Sequence, residues 1–205
     1  MLDGAVVTVE LTVCAALLSL IIGTLSVALQ LSRFRAGYWL SRSYVSAMRG
    51  TPLLVQLFVV FFGLPLLGIK GQSFLAATLA IGFNSGAFVT EILRAAILNV
   101  PAGQLEAAQA IGMSRAQTSR RVIMPQALVL SLPALTTEFT LVLKATPLAS
   151  VVAVTELTYT GTLIIARTFH PTEILLTVAA GYVVVALAFT QLSRWLEQRF
   201  AILHL

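Results

Sequence analysis

Long apolar runs separated by short polar or basic segments make up most of this chain. A helix needs about 20 mostly apolar residues to cross the hydrocarbon core of a bilayer. Runs of that kind predict five spans, over about 5–31, 52–68, 74–93, 126–146 and 173–192. We therefore expect an all-α integral membrane protein in which residues 1–205 form a single transmembrane domain.

The distribution of charge decides whether a further apolar stretch, Pro147–Ala166, crosses the membrane. A sixth crossing would put both termini on one side and separate the last arginines from the other basic loops. With five spans, the side that the positive-inside rule makes cytoplasmic holds Arg33, Arg35, Arg42, Arg49, Arg94, Arg115, Arg120, Arg121, Arg194 and Arg199. The opposite side holds Lys70, Lys144 and Arg167. We predict an outer N-terminus, a cytoplasmic C-terminus, and residues 147–172 folded back or lying at the outer surface.

The composition agrees with a membrane protein. Hydrophobic residues make up 58% of the chain, charged residues 10%, and the mean hydropathy is +0.94, whereas about a quarter of a soluble protein is charged. The net charge of +5 lies in short blocks beside apolar runs, which favours membrane topology over nucleic-acid binding. The first run has no basic residue before it, unlike a cleaved signal peptide, so we expect it to remain as a span.

Residues 33–49 combine arginines with Tyr38 and Trp39. Aromatic and basic side chains suit the headgroup layer of a bilayer. The pattern predicts an amphipathic segment on the cytoplasmic surface, ahead of a short span that opens at Pro52.

The main polar interruption covers about residues 99–125. Pro101 suits a first helical position, and Gly112 suits the turn that ends a helix. Ser114 and Gln117 have the spacing of a capping box, which predicts that a second helix starts there. The alanines from Ala107 onward are small enough to let another protein approach the backbone, so this segment is expected to be a docking surface.

The spacing within this segment has a counterpart in a known family. Glu106-Ala107-Ala108, three residues, Gly112, nine residues and then 122–125 resemble the EAA loop of bacterial ATP-binding-cassette (ABC) importer permeases, whose pattern is EAA-x3-G-x9-I-x-L-P. Val122 and Met124 stand where that pattern has Ile and Leu. Four other stretches look like the polar amino-acid branch of the family: Met48–Gln56, Phe88–Arg94, Val100–Gln104 and Glu156–Tyr159.

The resemblance implies the type I ABC importer permease fold, located in a bacterial inner membrane. It further implies an importer of polar amino acids assembled from two ATPase subunits, a second permease subunit, identical or related, and an extracytoplasmic solute-binding protein. ATP is then bound and hydrolysed by the partner, so this chain is expected to be no enzyme and to hold no cofactor. The residues that the resemblance assigns to ATPase coupling are Glu106, Ala107, Ala108, Gly112, Arg115 and Pro125.

Polar residues inside membrane spans are candidates for a substrate pathway. Glu138, midway along the fourth span, could meet a substrate ammonium group or bond a neighbouring helix, and both roles stay open. Lys144 could complement a substrate carboxylate or extend its side chain outward to water. Gln56 and Asn84 are further candidates, although hydrogen bonds between helices also explain them.

Two further features bear on these candidates. Glu91 and Arg94 are three residues apart on one helix, which predicts a local ion pair. Residues 144–148 read Lys-Ala-Thr-Pro-Leu where the family often has Lys-Asp-Thr-Ser-Leu. Substrate contacts are therefore not carried over to that position.

No enzymatic or metal site is predicted. His170, His204 and Cys14 do not form a metal-ligand set, and one cysteine cannot form an intramolecular disulfide. The glycines at 63 and 68 lack the Gly-Lys-Ser/Thr ending of a phosphate-binding loop. Two alternatives stay open: an importer permease for another small solute, such as methionine or a compatible solute, and an ATP-independent channel or secondary transporter.

Overall fold

A computed structural model describes residues 1–32, 34–69 and 73–202. These residues form helices α1 (Leu2–Leu31), α2 (Arg35–Gly50), α3 (Leu53–Gly63), α4 (Ser73–Leu98), α5 (Ala102–Ala110), α6 (Arg115–Thr118), α7 (Met124–Ala145), α8 (Leu157–Thr168) and α9 (Pro171–Ile202). Within this described part no residue is in a strand, which confirms the all-α class. Arg33, Lys70 and His204 lie outside the described residues, as do the side chains of Arg194 and Arg199.

Four helical segments are long and apolar enough to cross a membrane by themselves: α1, α4, α7 with its extensions (Arg115–Val152) and α9 over Pro171–Leu192. The predicted spans over 126–146 and 173–192 lie within the last two of these segments. The predicted span over 74–93 is longer in the structure, because α4 continues to Leu98.

The second predicted span, over 52–68, coincides with a short helix and a turn. After Pro52, α3 has 11 residues and the 3₁₀ turn that follows it, Leu64–Leu67, has 4. Together they are about 25 Å long, which is shorter than the ~30 Å hydrocarbon core. A candidate fifth crossing forms only when α3 is joined to α2 across a bend of 109°.

Helix α2 coincides with most of the amphipathic segment that the sequence predicts. Gly37 faces Leu29, and the Ser41 hydroxyl lies 2.6 Å from the Ser26 hydroxyl, so α2 packs antiparallel against α1. Trp39 remains exposed, as an amphipathic helix requires. The location of α2 at the cytoplasmic surface stays a prediction.

The core of the fold is the contact between α1 and α4. A methyl group added at Gly82 would lie 2.7 Å from Leu18 Cδ2, and one added at Gly86 would lie 2.9 Å from Ile22 Cγ2. The contacts advance in the same direction along both helices, so α1 and α4 are parallel. Glycines four residues apart let helices in lipid approach until their backbones almost touch, and dispersion contacts then hold them.

Hydroxyl groups along this contact are satisfied by their own helices. Thr8 donates to Gly4 O at 2.9 Å, Thr12 donates to Thr8 O at 2.7 Å, and Thr90 donates to Gly86 O at 2.7 Å. All three threonines are buried. A polar side chain can therefore sit inside the membrane part without leaving an unpaired group.

Helix α7 runs antiparallel to α4. Glu138 on α7 faces Ser85, whereas Ala127 near its start packs with Ala96 and Val100 at the end of α4. The C-terminal ends of α1 and α4 and the N-terminal end of α7 therefore share one end of the molecule. We call it the basic end, because the arginines nearest to it are Arg35, Arg94, Arg115, Arg120 and Arg121.

The segment after α7 packs at the opposite end. A 3₁₀ turn, Thr146–Val152, leads to α8, whose 12 residues span about 18 Å and cannot cross a bilayer. The Leu157 amide donates to Thr8 Oγ1 at 3.1 Å, which places the start of α8 against the N-terminal part of α1.

The close contact between α1 and α4 can be tested with Gly23→Ala. A methyl group at Gly23 would lie 2.4 Å from Val89 Cγ1, and such overpacking costs about 1–3 kcal/mol. We expect the melting temperature of the purified complex in detergent to fall by several degrees. Gly63→Ala is the matched control, because a methyl group there meets no atom within 4 Å. Equal melting temperatures for the two variants would contradict this packing.

Candidate functional site

The EAA loop, residues 99–125, directly joins α4 to α7. Three residues separate Leu98 from Ala102, the first residue of α5. Pro101 has a ψ of 134° and precedes the helix instead of starting it, so its predicted position is one residue off. The extended backbone at Pro101 lets the chain leave α4 and begin α5 in a new direction.

The turn between α5 and α6 was predicted correctly. Gly112 has a φ of +76°, and a methyl group there would meet no atom within 4 Å. The glycine is therefore needed for its left-handed backbone and not for lack of space. The capping box is confirmed, because the Ser114 amide donates to Gln117 Oε1 at 2.8 Å and the Gln117 amide donates to Ser114 Oγ at 3.3 Å.

From Arg115 the helix continues without a break to Ala145. A π-helical turn, Ser119–Ile123, connects α6 to α7, and single π turns inside helices occur frequently at functional sites. Pro125 lies in the first turn of α7. About 30 Å of helix connects Thr118 to Glu138, so the loop and the middle of α7 belong to one continuous rod.

Four of the six predicted coupling residues are exposed on the EAA loop, and two are not. Glu106, Ala107, Gly112 and Arg115 are exposed, as a docking surface requires. Ala108 is only 3% exposed, because it lies on the side of α5 that faces the rest of the loop. Pro125 is half-buried in α7.

Sequence reasoning missed two exposed apolar residues on this loop. Ile111, directly before Gly112, is 77% exposed, and Leu105 on α5 is 43% exposed. The position of Ile111 just before the helix-ending glycine was the available signal.

The second cluster of predicted residues surrounds Glu138. The Ser85 hydroxyl donates to Glu138 Oε1 at 2.8 Å, and Glu138 is 8% exposed. One residue earlier on α4, Asn84 Nδ2 donates to Gln56 Oε1 at 3.1 Å. Helix α4 therefore brings Gln56, Asn84 and Glu138 close to one another, as the sequence alone did not show.

Lys144 stays apart from this cluster. Its side chain is exposed near the end of α7, and it lines neither of the two cavities beside Glu138. The position of Lys144 agrees with the alternative in which its side chain extends outward to water.

Two cavities border Glu138. The lower cavity, about 470 Å³, extends toward the basic end and includes Arg49, Phe88, Glu91, Asn99, Ser131 and Glu138 in its wall. The upper cavity, about 220 Å³, includes Leu53, Asn84, Ser85, Phe88, Glu138 and Leu141. In the lower cavity the predicted ion pair is confirmed, with Arg94 Nη2 2.9 Å from Glu91 Oε2.

Glu156 is a second buried carboxylate, whose role the sequence did not reveal. It is fully buried and caps α8 by accepting the Thr158 amide at 2.8 Å and the Tyr159 amide at 2.7 Å. The hydroxyl of Tyr182 on α9 also donates to it. This carboxylate therefore ties α8 to α9.

The profile of the family described as binding-protein-dependent transport system inner membrane component matches residues 15–202. The chain belongs to this family. The predicted recognition is thus confirmed, and the permease is a multi-helix component of an inner membrane.

Several named permeases are similar to this permease. It is 42% identical over 154 residues to the L-cystine transport system permease protein TcyB of Bacillus subtilis, covering 75% of this chain and 66% of TcyB. It is 36% identical to the glutamine transport system permease protein GlnP of Escherichia coli, covering 99% and 94%. It is 35% identical to the octopine transport system permease protein OccM of Rhizobium meliloti, covering 93% and 86%.

Solved structures confirm the fold. A crystal structure of an amino acid ABC transporter with histidines superposes on the permease with a TM-score of 0.90 at 36% identity, covering 97% of this chain and 92% of that one. The MetNI methionine ABC transporter, in inward-facing conformations, gives a TM-score of 0.82 at 19% identity, covering 97% and 95%, and shows the fold alone. The predicted type I ABC importer permease fold is confirmed.

The exposed and buried faces of α5 can be distinguished by cysteine labelling in membranes. In a Cys14→Ser background, we expect Ala107→Cys to react with a water-soluble maleimide several-fold faster than Ala108→Cys, because only the first is exposed and a thiol must be accessible to react. The measurement is the fraction of labelled protein against time. Faster labelling at residue 108 would contradict the orientation of α5.

Proposed function

We propose that this permease is the transmembrane subunit of an ATP-driven, binding-protein-dependent importer of polar amino acids. The observation that carries the proposal is the 0.90 TM-score and 36% identity to an amino acid ABC transporter. The transport systems named for its relatives carry cystine, glutamine and octopine, all of which have the ammonium and carboxylate groups of an amino acid or a derivative.

The proposed partners follow from the family. Two separate ATPase subunits bind and hydrolyse ATP and dock on the EAA loops of two permease subunits, identical or related, while a solute-binding protein delivers substrate from outside. On this chain the docking surface is formed by Glu106, Ala107, Gly112 and Arg115, with Ile111 as an additional apolar contact. Ala108 and Pro125 support it from inside.

The connections of the EAA loop support a lever mechanism. A movement of the loop acts on α4 through three residues and on α7 through continuous helix. These two helices carry Ser85 and Glu138, so displacing one against the other changes the shape of the cavities between them. ATP can bias such a two-state gate only if the ATPases bind the two states with different free energies.

The proposed orientation places the basic end in the cytoplasm. By the positive-inside rule, the arginine-rich end of a membrane protein faces the cytoplasm, and the EAA loop lies at that end. The start of α1 lies at the opposite end, which supports an outer N-terminus. Arg194 and Arg199 in the last turns of α9 support a cytoplasmic C-terminus.

Glu138, with Asn84 beside it in the wall of the upper cavity, is the proposed polar site of the pathway. Gln56 lines neither cavity and supports Asn84 by accepting its hydrogen bond. A buried carboxylate next to open space can bind a substrate ammonium group, and the Ser85 hydroxyl holds Glu138 Oε1 in position. The exposed Lys144 is not included in this site, because it lines neither cavity.

The lever can be tested with Glu106→Lys and Gly112→Trp in the complete complex reconstituted with its ATPases and binding protein. Both changes alter the exposed surface of the loop, so we expect normal insertion but uptake reduced relative to ATP hydrolysis by about tenfold. Glu173→Lys is the control, because Glu173 is also exposed and lies at the start of α9. Normal stimulated hydrolysis and uptake in both loop variants would contradict the lever.

The same assay distinguishes the alternatives. Uptake that persists without ATP, or purification without an ATPase subunit, would favour a channel or a secondary transporter. Binding of methionine or a compatible solute by the cognate binding protein would keep the mechanism and change the substrate.

The role of Glu138 can be tested with Glu138→Gln. Glutamine still accepts the Ser85 hydrogen bond but loses the negative charge. Since hydrogen bonds to charged groups contribute about 1.5–3 kcal/mol, we expect the maximal rate of uptake with saturated binding protein to fall about tenfold or more. Glu10→Gln is the control, because Glu10 lies on α1 outside both cavities. An unchanged maximal rate would limit Glu138 to a helix contact.

A further inference from the structure

The two cavities beside Glu138 share part of their walls, which we call the partition. Phe88 on α4 and Glu138 on α7 line both cavities. Phe88 lies one turn after Ser85 on α4 and is half-buried. The direct path from the upper to the lower cavity therefore runs between these two side chains.

An arginine contacts the Phe88 ring from within the wall of the lower cavity. The guanidinium carbon of Arg49 lies 5.4 Å from the centroid of the ring, a cation–π distance. Arg49 belongs to the end of α2, directly before the 109° bend. The contact therefore joins the partition on α4 to a separate helix.

Arg49 is available for this contact because the nearest carboxylate already has a partner. Glu91 lines the lower cavity with Arg49 and accepts two hydrogen bonds from Arg94, at 2.9 and 3.3 Å. The guanidinium of Arg49 can thus remain over the ring while Glu91 offsets part of its charge.

We propose that Phe88 is the gate between the two cavities and that Arg49 is the latch that holds it closed. The proposal rests on the proposed transport function. An apolar ring in a narrow passage excludes water and charged solutes, as hydrophobic constrictions do in channels. In the proposed lever α7 moves against α4, which stays packed on α1 and α2, so a movement of the loop draws Glu138 on α7 away from Phe88 on α4 and opens the passage.

Phe83 provides a matched control on the same helix. Its ring contacts Tyr44 at a centroid distance of 6.5 Å, and it lines neither of the two cavities. Phe83→Ala therefore removes an equal volume from α4 without touching the partition.

The test measures passive leak of radiolabelled glycine, the smallest zwitterionic amino acid, from proteoliposomes that contain the whole complex and no ATP. We expect Arg49→Gln to increase the leak about fivefold, the factor equivalent to the ~1 kcal/mol of a cation–π contact. Phe88→Ala is expected to increase it at least as much. Phe88→Tyr, which keeps the ring, and Phe83→Ala should leak like the wild type.

A double variant separates the latch from other effects of Arg49. If Arg49 acts through the ring, Arg49→Gln adds no leak in the Phe88→Ala background, since interacting residues are not additive. Additive effects would overturn the latch. Wild-type leak in Phe88→Ala, or in Phe88→Leu if the alanine variant is unstable, would overturn the gate.

The outcome is independent of the test of the proposed function. ATP-driven uptake by the wild type together with unchanged leak in the variants would remove the gate and leave the importer. Increased leak in the variants without any ATP-driven uptake by the wild type would keep the gate and remove the importer.

Discussion

The close contact between α1 and α4 is the interaction on which the rest of the structure depends. In lipid there is little hydrophobic gain from bringing two apolar helices together, so association relies on packing and on satisfied polar groups. Gly23, Gly82 and Gly86 provide that packing. They fix α4 against α1, and α4 in turn carries Ser85, Phe88 and Glu91 and leads directly into the EAA loop.

Because α4 is fixed, the way in which the EAA loop is connected to the helices matters for the mechanism. The loop is attached to α4 at one end and to the continuous rod of α6 and α7 at the other. The two helices are also joined by the hydrogen bond between Ser85 on α4 and Glu138 on α7. The loop and this hydrogen bond therefore connect the same two helices at different heights. In the proposed mechanism, force applied at Glu106 or Ala107 therefore reaches Glu138 through helical segments, in which the π-helical turn Ser119–Ile123 and Pro133 are the points where the helix can bend.

Much of this arrangement could be predicted from sequence because its signals are local. Hydropathy located the long spans, and the capping box at Ser114 and the left-handed Gly112 follow from short-range backbone rules. Hydropathy also located α3 and its 3₁₀ turn within the second predicted span. The packing of α2 on α1 could not be predicted, because it depends on Ser26 and Ser41 meeting across 15 residues, a contact that no local pattern reveals.

The site could be predicted only as a set of residue types. Gln56, Asn84 and Glu138 were candidates because polar residues are rare in spans, but their proximity arises from the packing of α4 with α3 and α7. The burial of Ala108 has the same origin, since the EAA pattern gives the spacing of residues and not the side of α5 that faces the rest of the loop.

Two buried carboxylates show how surroundings assign different roles to the same chemical group. Glu156 accepts two backbone amides and the Tyr182 hydroxyl, so its hydrogen-bonding capacity is used in fixing α8 to α9. Glu138 has the Ser85 hydroxyl on one oxygen and open cavity on both sides. A carboxylate surrounded by its own protein's donors has little hydrogen-bonding capacity left for a ligand. A carboxylate that borders empty space retains that capacity. This difference, and not burial alone, favours Glu138 as the residue that meets a substrate.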